Sequence, residues 1–298
     1  MITVQSFEKY AYTETHFGLL KNLAAYCSIA VANANAYKEI DGKNANITKS
    51  IEYAQTIQQA ILPTDTDLNS IFADKFVIYK PKDIVSGDFY WFTQVANYSF
   101  LVVADCTGHG VPGGFMSMIG NAILQDAIDK QGILSPAEIL SYIHMGIRKA
   151  LKKGESNTSD GMDVSVCRFE KHANNIMTMI FAGAKSNALY FKHGETEMVE
   201  LKGDKQMIGS ADIVERKPYT DRVFELQKGD KLYFFTDGFI DQPDSSRHRF
   251  GSAKFKAMIK SNYQLPLVEQ KAIYLSELAD FQKTEDQRDD ITFIGVMI

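Results

Sequence analysis

Cysteine is scarce: three in 298 residues, and Cys27, Cys106 and Cys167 stand far apart with no Cys-x-x-Cys spacing. This excludes a disulfide framework and a thiolate zinc site, and reads as the reduced thiols of a cytoplasmic protein. Long apolar runs are missing as well. No stretch nears the ~18 residues of a membrane span, and the first residues lack a signal-peptide apolar core. Charge of one sign is not concentrated anywhere. The 32 basic and 37 acidic residues leave a formal charge of −5, without an arm or patch suited to nucleic acid or a membrane surface. Internal repeats and low-complexity tracts are also absent. What is present, 45% hydrophobic and 23% charged residues, suits one large domain or a medium domain with an appendage.

Three zones differ in pattern. The first, Met1 to about Ile40, opens with the alternating piece ITVQSF and enters a helical run. There Leu20, Leu23, Cys27, Ala30, Ala34 and Tyr37 recur at 3-4-3-4-3 spacing, the narrow seam of a helix packing on another helix. The second, DGKNANITKS, is polar and holds Gly42, which costs roughly 1 kcal/mol relative to Ala inside a helix. Helical spacing resumes at Ile47, Ile51, Ala54, Gln58 and Ile61 and stops at Pro63, because proline disfavours helical geometry in the residue before it. The pattern predicts one long helix with a weak point near Gly42; the alternative is a helical hairpin.

From about Asp67 onward, short runs rich in Val, Ile, Phe and Tyr alternate with Gly, Asn and Asp. Strands are predicted at KFVIYK, DFYWFTQV, YSFLVVA, MDVSVCRF, NIMTMIFA, ALYFKH, EMVELK, DRVFELQ, KLYFFT and ITFIGVMI. Connections as short as VANYS and KHGET favour antiparallel pairing over strand–helix–strand crossovers. Helices are predicted at 112–130, 136–152, 251–261 and 266–282. The expected fold is therefore α+β: an antiparallel β-sandwich flanked by helices, with an N-terminal long-helix extension.

Four places share one design, an aspartate at the edge of an apolar strand. Asp88 opens a strand in IVSGDFYWF, and Asp105 ends one before the glycine-rich CTGHGVPGG. Asp237 ends another in KLYFFTDGFID, while Asp289 and Asp290 open the last in QRDDITFIGVMI. A strand end is rigid, so a carboxylate there can be aimed. Glycines beside it permit tight turns and close approach of a ligand. Taken singly, each Asp-Gly is explained by turn chemistry. If the four ends meet, like charges 4 Å apart repel by roughly 4 kcal/mol at an effective dielectric of 20 and call for cations. Oxygen ligands without His or Cys favour Mg²⁺, Mn²⁺ or Ca²⁺, and two such ions suit phosphate chemistry.

In this order, GDFYW, ADCTGHGVPGGFMSMIGN, FAGA, TDGFIDQ and RDDITFIGV resemble the SpoIIE-type branch of the metal-dependent, type 2C-like protein phosphatases, over roughly residues 60–298. The resemblance implies an αββα sandwich with two Mn²⁺ or Mg²⁺ ions at one end. It implies hydrolysis of phosphoserine or phosphothreonine in proteins by a metal-bridging water, without a phosphoenzyme. Matched motif by motif, it makes Asp88 the first ligand and Asp105 the bridging one, with the carbonyl of Cys106 as a main-chain ligand. Asp237 and Asp289 become the remaining carboxylates, with Asp290 in reserve. The eukaryotic branch has a histidine close behind the bridging aspartate as proposed proton donor. Here His109 lies further on, so a turn or substrate-contact role stands beside that one. Lys80 and Lys82 either reach a substrate phosphate or are a solvated pair. Asp160 and Asp163 either approach the metals or follow from turn and strand pairing.

Residues 1–40 resemble the last strand and helix of a GAF sensory domain. The expected division is a GAF-like remnant at 1–40, a helical linker at 41–66 and the phosphatase domain at 67–298, in a truncated or mis-started version of a longer regulator. The implied partners are a phosphoprotein, by analogy a STAS-type anti-sigma antagonist, and a second copy of the chain joined through the N-terminal helix. Neither nucleic acid nor membrane is expected as a partner. The rival readings are a signalling scaffold with a weak site and a small-molecule phosphomonoesterase.

Overall fold

The computed structural model describes residues 2–152, 160–172, 176–210 and 218–298. The chain divides into two units, Met1–Tyr53 and Ala54–Ile298.

The first unit is dominated by helix α1, Glu14–Ala60, which runs on into the second. Its start is tied reciprocally: the Thr13 hydroxyl accepts from the His16 N–H (3.5 Å), and His16 Nδ1 accepts from the Thr13 N–H (3.3 Å). The helix continues unbroken through Gly42, so the hairpin does not form. One glycine flanked by good helical turns is tolerated at its modest cost. ITVQSF, expected as a strand, is not one: residues 2–13 carry no strand. Extended backbone needs a ladder partner, and none of the described strands precedes residue 74. Among the described residues, no helix is long and apolar enough to cross a membrane.

In the second unit every predicted strand forms: β1 Asp74–Lys80, β2 Phe89–Val95, β3 Tyr98–Cys106, β4 Met162–Lys171, β5 Met177–Ala184, β6 Ala188–Phe191, β7 Met198–Leu201, β8 Arg222–Leu226, β9 Lys231–Phe235 and β10 Ile291–Met297. They make two antiparallel five-stranded sheets, ordered β1-β10-β9-β6-β7 and β2-β3-β4-β5-β8. The predicted helices appear as α3 Gly110–Gln125, which passes into a π-turn at Asp126–Lys130, α4 Pro136–Ala150, α6 Ser252–Asn262 and α7 Leu267–Gln282. Two helices escape periodicity because they are too short to show any: α2 Asp65–Asn69 and α5 Gly238–Asp241.

Alternation along the strands builds the layers. On β3, Leu101 and Val103 point between the sheets, where they meet Phe181, Phe234 and Ile294. Their neighbours Phe100 and Val102 point outward onto Leu124, Ile143 and Ile147 of α3 and α4. On the far side, Phe76, Tyr233 and Phe293 pack against Phe255, Ile259 and Tyr274 of α6 and α7. Each such fully buried side chain stabilises by roughly 1.5–3 kcal/mol. The order is helix, sheet, sheet, helix. Three apolar layers fix the register of both sheets, and that register delivers four acidic strand ends to one edge.

Candidate metal centre

In one sheet β2 starts where β3 ends: Phe89 pairs with Ala104, so Asp88 and Asp105 flank the same rung. Asp163 stands directly across from Asp105 on β4. In the other sheet β9 ends beside the start of β10, with Phe235 paired to Phe293. Asp237 and the Asp289–Asp290 pair therefore leave that sheet together. Thr236 joins the two: its hydroxyl donates to Asp88 Oδ2 (2.7 Å) and accepts from the Thr292 N–H (2.9 Å). Glycines permit the close approach, but of backbone rather than of a ligand. A Cβ on Gly238 would lie 1.9 Å from the Asp290 carbonyl oxygen, and one on Gly87 would lie 2.4 Å from that of Gly108.

The adjacent aspartates of the last motif do different work. Asp290 is buried, and both its oxygens are engaged: Oδ1 accepts from the Lys82 N–H (2.7 Å) and Oδ2 from the Gly87 N–H (2.6 Å). It pins the loop that leads into Asp88. Asp289 accepts only from the Asp290 N–H among the described contacts (2.9 Å) and is half-buried, with its charge felt at Asp88, Asp105 and Asp237.

The cluster is short of positive charge. Burial lifts the Asp88 carboxyl well above the usual range, against its Thr236 hydrogen bond and with Asp290 and Asp289 adding repulsion. Asp105 is lifted likewise, by burial first and then by Asp88, Asp237, Asp163 and Asp289. Asp237 lies at the rim, open to solvent on one side and crowded by protein on the other. Burial raises its carboxyl, Asp241 and Asp289 add to this, and Lys185 and a hydrogen bond with Asp105 oppose it. Asp163 is pushed up to about 6 by burial, which Lys185 only partly offsets. Among the described residues, no three His, Cys, Asp or Glu side chains are already closed around one point. The donors nonetheless fit hard divalent ions: they are all oxygen, mutually repelling, and aimed from rigid strand ends. The Cys106 side chain is buried among apolar groups and its thiol is raised by that burial, which leaves its carbonyl as the group of interest.

Other motif residues settle differently. Lys82 is no solvated bystander: its Nζ donates to His109 Nε2 (2.7 Å), and His109 Nδ1 meets Asp83 Oδ2 at 2.6 Å. An ammonium only donates, so in this arrangement the imidazole proton sits on Nδ1, toward Asp83. Lys80 offers its carbonyl to Gln287, and Asp160 precedes β4 beside Gly161, whose N–H meets the Thr107 hydroxyl. Three contributors were invisible as such in the sequence: Thr236, Lys185 and Gln58. Gln58, the buried residue of α1, grips one peptide unit. Its Oε1 accepts from the Ser86 N–H (3.0 Å), and its Nε2 donates to the Ser86 carbonyl (2.6 Å) and the Ser117 hydroxyl (2.8 Å). It thereby fixes the approach to Asp88 from α1 and α3.

Comparison with known proteins accords with this architecture. The model of the family described as Stage II sporulation protein E (SpoIIE) matches residues 96–298. The chain belongs to the SpoIIE family. The SiaA-PP2C domain of Pseudomonas aeruginosa is 33% identical, with a TM-score of 0.73 over 86% of this chain and 98% of that domain. Phosphoserine phosphatase RsbU of Bacillus subtilis (strain 168) is 23% identical over 275 residues, covering 87% of this chain and 75% of RsbU. The PP2C phosphatase domain with a regulatory fragment of SpoIIE from Bacillus subtilis shares the fold. It is 18% identical, with a TM-score of 0.56 over 76% of this chain and 61% of that one. Within the SpoIIE family this chain is thus a PP2C-type phosphatase domain with a long N-terminal helix.

Proposed function

We propose that this SpoIIE-family chain is a Mn²⁺- or Mg²⁺-dependent protein serine/threonine phosphatase acting in bacterial partner-switch signalling. One observation carries the reading: Asp88, Asp105, Asp237 and Asp289 meet at a rigid sandwich edge where burial and mutual repulsion raise the first three carboxyls and Lys185 offsets only part of the charge. Asp88, Asp105, Asp237, Asp289 and the Cys106 carbonyl are the groups that would hold the ions, with Asp105 at their centre. Two such ions supply an activated water and neutralise phosphate charge during in-line displacement. The protein's own residues supply position. Thr236 orients Asp88, Asp290 and Gln58 hold the loop before it, and the Asp105–Asp163 rung sets the level of the second carboxylate. Asp290 is committed to backbone N–H groups, which favours Asp289 as the ligand of that pair.

The natural substrate we infer is a phosphorylated STAS-type anti-sigma antagonist in the cytoplasm, by analogy with the family. The domain division into 1–40, 41–66 and 67–298, with a GAF-like origin for the first part, belongs to the same proposal. So does a homodimer through α1, whose Leu23, Tyr37 and Ile47 are more than half exposed (51%, 75% and 58%). Hydrolysis of p-nitrophenyl phosphate and of a phosphoserine protein, with Mn²⁺ and with EDTA, tests the activity. Turnover that needs Mn²⁺ and prefers the phosphoprotein is expected. No Mn²⁺-dependent turnover would reduce the chain to a scaffold, and a preference for metabolites would make it a small-molecule phosphomonoesterase.

A further inference from the structure

Next to the carboxylates the sandwich edge opens into a cavity of about 170 Å³ lined by Asp105, Asp163 and Asp237 together with Lys185 and Lys256. Lys185 follows β5 directly. Its Nζ stands 3.2 Å from Asp163 Oδ2, and its charge also acts on Asp237. The backbone there is unusual: Lys185 adopts φ +53°, a left-handed conformation that β-carbon sterics disfavour. The surroundings hold it in place. Its N–H donates to the Asp204 carbonyl (2.7 Å), the Asp204 N–H donates to the Gly183 carbonyl (2.7 Å), and Gly183 and Gly203 lie against the Ser186 carbonyl too closely for any Cβ. Five other non-glycine residues among those described share a positive φ, so what singles out Lys185 is its place against Asp163 in the cavity. Lys256, from α6, reaches the same space and is bonded to Glu200 at 2.8 Å.

We propose that Lys185 contacts substrate, receiving the phosphoryl oxygens of a phosphoserine side chain in this cavity, with Lys256 as the second cation of the same pocket. This deepens the phosphatase reading and rests on it. A phosphomonoester carries close to two negative charges and must enter a space walled by four carboxylates, Asp105, Asp163, Glu200 and Asp237. Ions bound by the aspartates answer part of that repulsion. A compact ammonium on a flexible stem answers the rest, because it can turn from Asp163 to the incoming phosphate. The ion pair it leaves is partly exposed and therefore weak, with side-chain exposures of 59% for Lys185 and 24% for Asp163.

The test compares wild type, Lys185→Gln, Lys185→Arg and Lys256→Gln, each with Mn²⁺, on a phosphoserine peptide. Inorganic phosphate is measured as competitive inhibitor and, with Mg²⁺, as a calorimetric ligand; Mn²⁺ uptake is titrated separately. Lys185→Gln is expected to raise KM and the phosphate inhibition constant about tenfold with Mn²⁺ uptake unchanged. Lys185→Arg should recover part of that loss, and Lys256→Gln should show a two- to fivefold effect. Unchanged KM and phosphate affinity in Lys185→Gln would overturn the proposal. So would altered Mn²⁺ uptake with phosphate affinity intact, since Lys185 would then serve only to balance Asp163. A wild type without Mn²⁺-dependent turnover removes the phosphatase reading instead, and calorimetry with phosphate still decides whether Lys185 binds it.

Discussion

Helix α1 up to Tyr53 and the β-sandwich both carry regular apolar patterns, yet they use them in opposite ways. In the sandwich, Leu101, Phe181, Phe234 and Ile294 are sealed between two sheets. In the helix, the seam residues Leu23, Tyr37 and Ile47 stand open to solvent. Periodicity therefore reports a face that calls for cover, and the cover must come from elsewhere. Charge divides the same way. The buried, mutually repelling carboxylates all belong to the sandwich edge, while the charges of the helix are exposed and local, such as the Glu39–Lys43 pair. Buried apolar packing and crowded carboxylates thus belong to one region, and exposed apolar side chains to the other.

The comparison breaks first at the sandwich edge if it is wrong. Asp237→Asn should lower Mn²⁺-dependent turnover about a thousandfold. Its melting temperature without metal should stay level or rise, because one repelling charge leaves the company of Asp241 and Asp289. Full turnover by this variant would remove Asp237 from the reaction.

Asp289 and Asp290 sharpen the point within two residues. Asp290→Ala strips one buried and one half-buried N–H group of their acceptor and should cost about 2–4 kcal/mol in urea unfolding. Gln58→Leu, which abandons the Ser86 peptide, should cost about 1–3 kcal/mol and weaken Mn²⁺ uptake through Asp88. Asp289→Asn should abolish activity with stability nearly unchanged. Equal stability losses at 289 and 290 would erase the distinction between ligand and pin.

Much of this was legible in the chain itself. Short turns such as KHGET and VANYS between β-branched runs announce hairpins, and aspartates at the ends of apolar strands, one of them followed by glycine at Asp237–Gly238, mark the places that converge. What stayed hidden depends on contacts between distant residues. Nothing local tells Asp289 from Asp290, because the difference lies in which N–H groups, 203 and 208 residues away, occupy the oxygens. Gln58 sat at a seam position like its apolar neighbours, and its partner Ser86 is 28 residues on. Lys82, His109 and Asp83 meet only when the loop before β2 closes on the start of α3. ITVQSF failed for the converse reason: alternation promises a strand only where a ladder exists.

Proton linkage separates the two regions again, with a smaller effect. Asp88, Asp105 and Asp237 have raised carboxyls, and Asp163 reaches about 6. An acid whose folded value lies above its unfolded value of about 3.9 holds its proton more tightly when folded. Its contribution to stability is complete below about pH 4 and is lost as pH rises through the folded value. The metal-free protein should therefore melt several degrees lower at pH 7.5 than at pH 5, given roughly 2–4 °C per kcal/mol at this size. Saturating Mg²⁺ should close most of that gap. A gap that persists with Mg²⁺, or an equal one in Asp105→Asn, would place its origin outside the cluster.

The smallest effect on stability should come from the helix, and it tests the other half of the comparison. Leu23→Glu with Ile47→Glu removes two exposed apolar side chains of the first unit. Urea unfolding of the sandwich should move by less than about 0.5 kcal/mol. Light scattering should nonetheless change from dimer to monomer, because a charge at a seam position is desolvated without a partner. If wild type is already monomeric at high concentration, the exposed seam is not a contact between copies. If instead the double variant unfolds the sandwich, the helix is structural and the proposed division of labour between the two regions fails.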